Sequence, residues 1–253
     1  MDNKIIFEPI SKIKEIALVA LKGNWKVMYV GMFIYYCLVS VVSLVLDHFF
    51  SYTDYVQLAD GSYMTVEITY ASTFYELLLM GALTCGMAMF MLSYFRARRV
   101  DYGLLFEGFS SFTKCFWLFV LYSIRVALWS LLFVIPGIIA AIRYSQAFYL
   151  RVDHPEWTAG MCLAESSRLM KGNKGKYFGL QLSFVGWYIL SMIPTAFAMM
   201  FTTSDVVLIA ITIVGSLPVL VVDLYLQMTN TTFYELVNGN LVVVKENTEE
   251  FYN

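Results

Sequence analysis

The 253-residue chain is 59% hydrophobic and only 14% charged, with a formal net charge of −2. Soluble chains have roughly a quarter of their residues charged, and a soluble domain of this size could not hide so much apolar surface. Four cysteines (Cys37, Cys85, Cys115, Cys162) lie in four different segments, with no CxxC motif and no His/Cys cluster. Neither a disulfide framework nor a metal site is expected, and no cofactor.

In chain order, residues 1–26 read as a cytoplasmic interfacial helix. Ile13, Ile16, Ala17, Ala20 and Leu21 recur at helical spacing, and Lys12, Lys14, Glu15 and Lys22 take the other side, the pattern of a helix lying in the headgroup plane. This charged start does not resemble a cleaved signal peptide. Gly23-Asn24 supplies a helix stop. Residues 27–46 form span 1, since about 20 apolar helical residues cross a hydrocarbon core of ~30 Å. Residues 47–76 are an outer loop with Asp47, Asp54, Asp60, Glu67 and Glu76 and no Lys or Arg. Within the loop, two β-prone stretches flank Asp60-Gly61, a pair suited to a type I′ turn; the hairpin would form a small cap or a binding face. Residues 77–95 form span 2, and 96–114 are cytoplasmic, carrying Arg96, Arg98, Arg99 and Lys114.

Residues 115–150 are too long for one span and short for two. They read as a hairpin broken at Pro136-Gly137, whose second arm, Ile138 to Leu150, tilts or is re-entrant. Residues 151–176 form a cytoplasmic amphipathic helix with Arg151, Arg168, Lys171, Lys174 and Lys176. Span 5 covers 177–201, an outer turn follows, span 6 covers 206–228, and 229–253 is a cytoplasmic tail. Of the 17 basic residues, all but Arg125 and Arg143 fall on the cytoplasmic side in this scheme, as positive loops do. The expected fold is a single all-α membrane domain, residues 1–253: a polytopic helical bundle of about six segments in three hairpins, with interfacial helices and both termini cytoplasmic.

A repeat runs beneath this order. Leu21-Lys-Gly-Asn-Trp-Lys26 is echoed by Met170-Lys-Gly-Asn-Lys174, and Glu107 precedes Pro136 by the same 29 residues that separate Glu165 from Pro194. Three parallel units, each a surface helix plus a membrane hairpin, would explain the echo over roughly 11–95, 103–152 and 157–228. The shared habit of membrane-entering helices to end in Lys, Gly and Asn would explain it equally well.

Five blocks carry a family resemblance: Leu21-Lys-Gly-Asn-Trp25, Ile135-Pro-Gly-Ile-Ile-Ala-Ala141, Arg143-Tyr-Ser145, Glu165 to Asn173, and Phe233-Tyr-Glu-Leu236. Together they resemble the bacterial integral membrane family called domain of unknown function 975. The departure is at 195–222, where the family pattern is more Gly-rich. The resemblance implies a multi-pass protein of the bacterial cytoplasmic membrane, and it implies no activity.

Catalytic constellations are scarce. His48 and His154 lie on opposite sides of the membrane, and no Ser-His-Asp set, HExxH or phosphate-cradling loop occurs. Asp153-His154-Pro155-Glu156 reads as a helix start capped by Asp153. The residues that need explaining are Arg125 and Arg143, because an ionisable group in a span requires a partner or a wet cavity. The candidate acceptors are Asp223, Glu235 and Glu165. Three readings stand open: an ion pair locking the hairpins, snorkelling to the headgroups, or a site for an anion such as lipid phosphate, which guanidinium forks bind bidentately. Pro136, Gly137, Pro194 and Pro218 are candidate hinges. Ala82 and Gly86 form a small-xxx-small step suited to close helix contact.

The leading functional expectation is a non-enzymatic protein of envelope maintenance or assembly that binds membrane lipids or a partner membrane protein, with no nucleic-acid partner. A small transporter of an anionic solute is the alternative, and an intramembrane enzyme the third. In a background without native cysteines, a cysteine at position 62 should react with an impermeant thiol reagent from outside the cell, and cysteines at 111 and 167 only from inside. Outside labelling at 167 would break the hairpin at 115–150.

Overall fold

The computed structural model describes residues 4–57, 61–201 and 205–242. The chain forms an all-α membrane bundle with one exposed β-hairpin. Its elements are α1 (Ile10–Leu21), α2 (Trp25–Tyr36) running through a π-helical turn into α3 (Val42–Phe50), β1 (Tyr52–Gln57), β2 (Tyr63–Ile68) and α4 (Tyr70–Ala97). A 3-10 segment, Tyr102–Phe109, leads into α5 (Phe112–Leu132), α6 (Val134–Tyr144), α7 (Ala147–Asp153), α8 (Ala159–Leu169), α9 (Lys174–Met199), α10 (Asp205–Gly215) and α11 (Leu217–Val237).

Five helices among the described residues are long and apolar enough to cross a membrane: Trp25–Phe50, Tyr70–Ala97, Phe112–Leu132, Lys174–Met199 and Ala210–Val237. The count of six is thereby corrected to about five, and the missing span is the return arm of the middle hairpin. That arm is split into α6, with 11 residues, and α7, with 7, so the pieces reach only ~16 and ~10 Å at 1.5 Å per residue. The break between α5 and α6 is at extended Phe133 (φ −163°, ψ 156°) rather than at Pro136-Gly137. Pro136 falls in the first turn of α6, where its missing N–H is no loss. Gly137 lets the arms touch: a Cβ there would lie 2.1 Å from Ser130 Oγ.

The split in the return arm is stitched from α8. Ser166, fully buried, donates to the Arg143 carbonyl at 2.9 Å and accepts from Gln146 N–H at 3.1 Å. Ser166 thereby satisfies one carbonyl and one N–H at the break, as a broken helix at membrane depth requires of its freed groups.

α4 is the central helix, because 61% of its apolar window is buried against 6–17% for the other spans. Its Ala82–Gly86 step does not meet another span. It receives the 3-10 segment instead: a Cβ on Gly86 would lie 2.0 Å from the Leu105 carbonyl oxygen, and one on Gly108 would lie 1.9 Å from that of Ala82. The core is concentrated at the end of the bundle that collects the Lys and Arg residues, here called the basic end. At that end α11 is enclosed from Thr231 to Val237. At the far end, Leu131, Phe133, Val134 and Ile135 at the α5–α6 tip are exposed, as lipid-facing residues must be.

The first and third units share a detail. α1 and α8 each end at a left-handed glycine, Gly23 at φ +84° and Gly172 at φ +87°, followed by Asn24 or Asn173 and then a span. Asn173 is buried and fully used, accepting from Ile6 N–H and donating to the Lys4 and Leu169 carbonyls, all at 2.9 Å. Lys176 donates to the Ile6 and Glu8 carbonyls, so residues 4–8 form a strap across the basic end. The middle unit is shorter, a 3-10 segment running almost directly into α5. The β-hairpin pairs Tyr52 with Ile68 and Gln57 with Tyr63. The expected Asp60-Gly61 turn falls partly on residues 58–60, which lie outside the described residues.

Gly86→Ala and Gly108→Ala should each cost about 1–3 kcal/mol through overpacking, read as lower melting temperatures in detergent. Gly186→Ala, on α9 with nothing near its Cβ, should be close to neutral.

Candidate functional site

The strongest charged constellation is at the basic end, where three arms finish. Arg96, in the last turn of α4, forks onto Asp153 at the end of α7, with Nη1 to Oδ1 at 2.7 Å and Nη2 to Oδ2 at 2.8 Å. The same guanidinium reaches Glu235 on α11, from Nε at 2.9 Å and Nη2 at 2.6 Å. Tyr234 donates to Asp153 Oδ2 at 2.7 Å and stacks on Tyr149 with ring centroids 5.0 Å apart. Burial alone would raise the Asp153 carboxyl, but Arg96 and Tyr234 outweigh it and hold the group below its ordinary value. Asp153 is therefore not the cap of a following helix. That role falls to Thr158, whose Oγ1 accepts from Met161 N–H at 3.3 Å.

The expected pairing of Arg125 or Arg143 with a carboxylate is not formed. Among the described residues neither arginine makes a salt bridge. Arg125 lies over the Tyr144 ring, 5.5 Å from its centroid, a cation–π contact. Glu235 is taken by Arg96, and Glu165 by Arg168 on its own helix at 2.5 Å. Asp223 takes a hydrogen bond from the Tyr188 hydroxyl of α9. In the packing, α6 and α11 each lie against α9.

Arg143 is the odd member of this set. It is only partly exposed, and its Nε is enclosed with no hydrogen-bond partner. Lys174, the first residue of α9, is close enough to feel its charge. Two apolar hollows flank the pair along α6. One, of about 220 Å³, is lined by Trp129, Pro136, Ile139, Ala140 and Arg143. The other, of about 310 Å³, is lined by Ile135, Ile138, Ile142, Lys174 and Phe178 among others. Neither of these two cations makes a salt bridge among the described residues.

The candidate hinges fall in two places. Pro136 and Gly137 lie within α6, not at a flexible joint. Pro194 is inside α9 and Pro218 opens α11. The latter two line a purely apolar hollow of about 470 Å³ between α9 and α10, beside the Thr195 hydroxyl that donates to the Gly215 carbonyl at 3.1 Å. His154 stacks on Trp157 at 3.8 Å and His48 packs edge-on to Phe49, and neither joins a nucleophile. No group of three or more His, Cys, Asp or Glu side chains suited to a metal ion occurs among the described residues.

Sequence reasoning missed Arg96, Asp153 and Tyr234. One signal was present: three arms end at one membrane face, with an arginine at one end and acids at the other two. Residues 131–240 match the model of a family described as "Protein of unknown function (DUF975)". This region contains four of the five blocks on which the resemblance rests, so the resemblance holds over it. No curated protein and no solved structure matches the chain.

Asp153→Asn should lower stability at pH 7 by on the order of 2 kcal/mol, the range for hydrogen bonds to charged groups. Because the folded-state carboxyl is held below its ordinary value, its contribution is fully present above about pH 4. It is lost as pH falls through the folded value. Melting curves of wild type and Asp153→Asn should therefore converge as the pH is taken below about 4.

Proposed function

We propose that this protein is a non-enzymatic component of the bacterial cytoplasmic membrane that binds an anionic phospholipid in the cytoplasmic leaflet, in the service of envelope maintenance. The observation that carries the reading is Arg143: a guanidinium with an enclosed, unpartnered Nε that lines one apolar hollow, beside Lys174, which lines a second. A phosphate would satisfy the guanidinium and neutralise the repulsion between the two cations. The acyl chains would lie along Ile135, Ile138 and Ile139 toward the α5–α6 tip.

The orientation rests on the basic residues. The basic end faces the cytoplasm under the positive-inside rule, which places both termini there, with Lys4 Nζ bonded to the Leu241 carbonyl at 3.2 Å. The hairpin at 52–68, rich in tyrosine and acidic residues, then faces outward. Transport of an anionic solute has weaker support, because the two arginines do not line a common polar path: Arg125 is spent on Tyr144.

The test is native mass spectrometry of protein purified from mixed phosphatidylglycerol and phosphatidylethanolamine. Wild type should retain phosphatidylglycerol selectively, and Arg143→Gln/Lys174→Gln should lose roughly tenfold in retention, since a factor of ten is about 1.4 kcal/mol and a single charged hydrogen bond supplies that much. Equal retention by the double variant, with melting unchanged, would contradict the site.

A further inference from the structure

A second intramembrane ionisable group is independent of the lipid site. Asp223 lies in α11, twelve residues before Glu235, or ~18 Å along the helix axis at 1.5 Å per residue. Asp223 thus lies about midway along the candidate span Ala210–Val237. It is half-buried in the bundle.

The surroundings of this carboxyl are neutral on every packed element. From α9, Tyr188 donates to Oδ1, and no other hydrogen bond to the carboxyl is made among the described residues. From α2, Tyr35 is near enough to feel its charge. Tyr35 in turn lies beside Thr84 of α4, whose hydroxyl is turned to the Met80 carbonyl at 2.7 Å. On α1, Lys14 spends its ammonium on Ser183 Oγ at 3.3 Å and on the Phe184 ring at 4.3 Å. Tyr225, two residues on, turns its hydroxyl to the Lys14 carbonyl. The described side chains of α10 are apolar apart from Thr212.

A carboxylate midway along a membrane span needs a cation or several donors, and this one has a single phenol. A metal ion would need several oxygen ligands, and no group of three or more His, Cys, Asp or Glu side chains suited to one occurs among the described residues. A proton meets the requirement alone, and intramembrane carboxyls without counter-ions are the usual elements of proton relays. We propose that Asp223 is a proton-binding site within the bilayer, held as the neutral acid and oriented by Tyr188.

The test is dicyclohexylcarbodiimide, an apolar reagent that takes the proton of a neutral carboxyl. The carboxylate then adds to the central carbon, and an O-to-N acyl shift leaves a stable N-acylurea with no leaving group. Purified protein in lipid nanodiscs is treated across pH 5–9 and mapped by peptide mass spectrometry. The expected result is labelling at Asp223 in preference to Glu76 and Glu235, little reaction with a water-soluble carbodiimide, and no label in Asp223→Asn. Tyr188→Phe removes the one donor to the charged form, so labelling should persist to higher pH than in wild type. Absence of label on Asp223 in folded wild-type protein would overturn the proposal. So would equal reaction with the water-soluble reagent, which marks an ordinary solvated carboxylate.

Discussion

The fold depends on a single guanidinium. Arg96 ends the central helix and holds two acids from elsewhere in the chain: Asp153, which ends the broken return arm, and Glu235, near the end of the last span. The three hairpins therefore close at one end of the bundle. This contact also fixes the sense of the middle hairpin. α6 and α7 together are too broken to count as a span, yet Asp153 meets Arg96, so the chain does return to the end from which α5 departed. With Glu235 only 5% exposed and Arg96 39% exposed, the pair lies at a boundary where desolvation is partial. A charged pair with three hydrogen-bonding partners is most useful there.

Around that anchor the structure satisfies its broken backbone locally. Ser166 bridges the α6–α7 gap, Asn173 and Lys176 hold the N-terminal strap, and the buried threonines of α11 return their hydroxyls to carbonyls one turn back. Close backbone approaches do the remaining work, with Gly86 and Gly108 seating the 3-10 segment on α4. What is left over is a short set of groups that the fold does not use. Arg143 with Lys174 and Asp223 are the two that matter. The proposed lipid site is built on the first, and the proposed proton site on the second.

Much of the architecture was legible in the sequence because membranes impose length and charge rules. Apolar runs located the five spans, and the absence of Lys and Arg between Val27 and Phe95 defined one side. The small-xxx-small step and the Gly-Asn echo were visible, although their partners were not. Arg125 and Arg143 stood out as intramembrane cations, but their expected carboxylates were wrong, because linear depth does not reveal that α6 and α11 each pack against α9. Asp153 resembled a helix cap because Asp-His-Pro-Glu is a common helix opening; only the fold brings it to Arg96. Pro136-Gly137 looked like the break, whereas extended Phe133 makes it and the glycine serves contact between the arms.

The account stands or falls on whether Arg96 and Glu235 act as a unit. A double-mutant cycle with Arg96→Gln, Glu235→Gln and the pair, read by thermal or denaturant unfolding in one detergent, measures this directly. Each single change should destabilise by on the order of 3 kcal/mol, because each strands a charge that the fold has enclosed. The double variant should be more stable than the sum of the two, with a coupling above about 1 kcal/mol. Strictly additive effects, or a silent Glu235→Gln, would contradict it, leaving the three arms held by apolar packing alone.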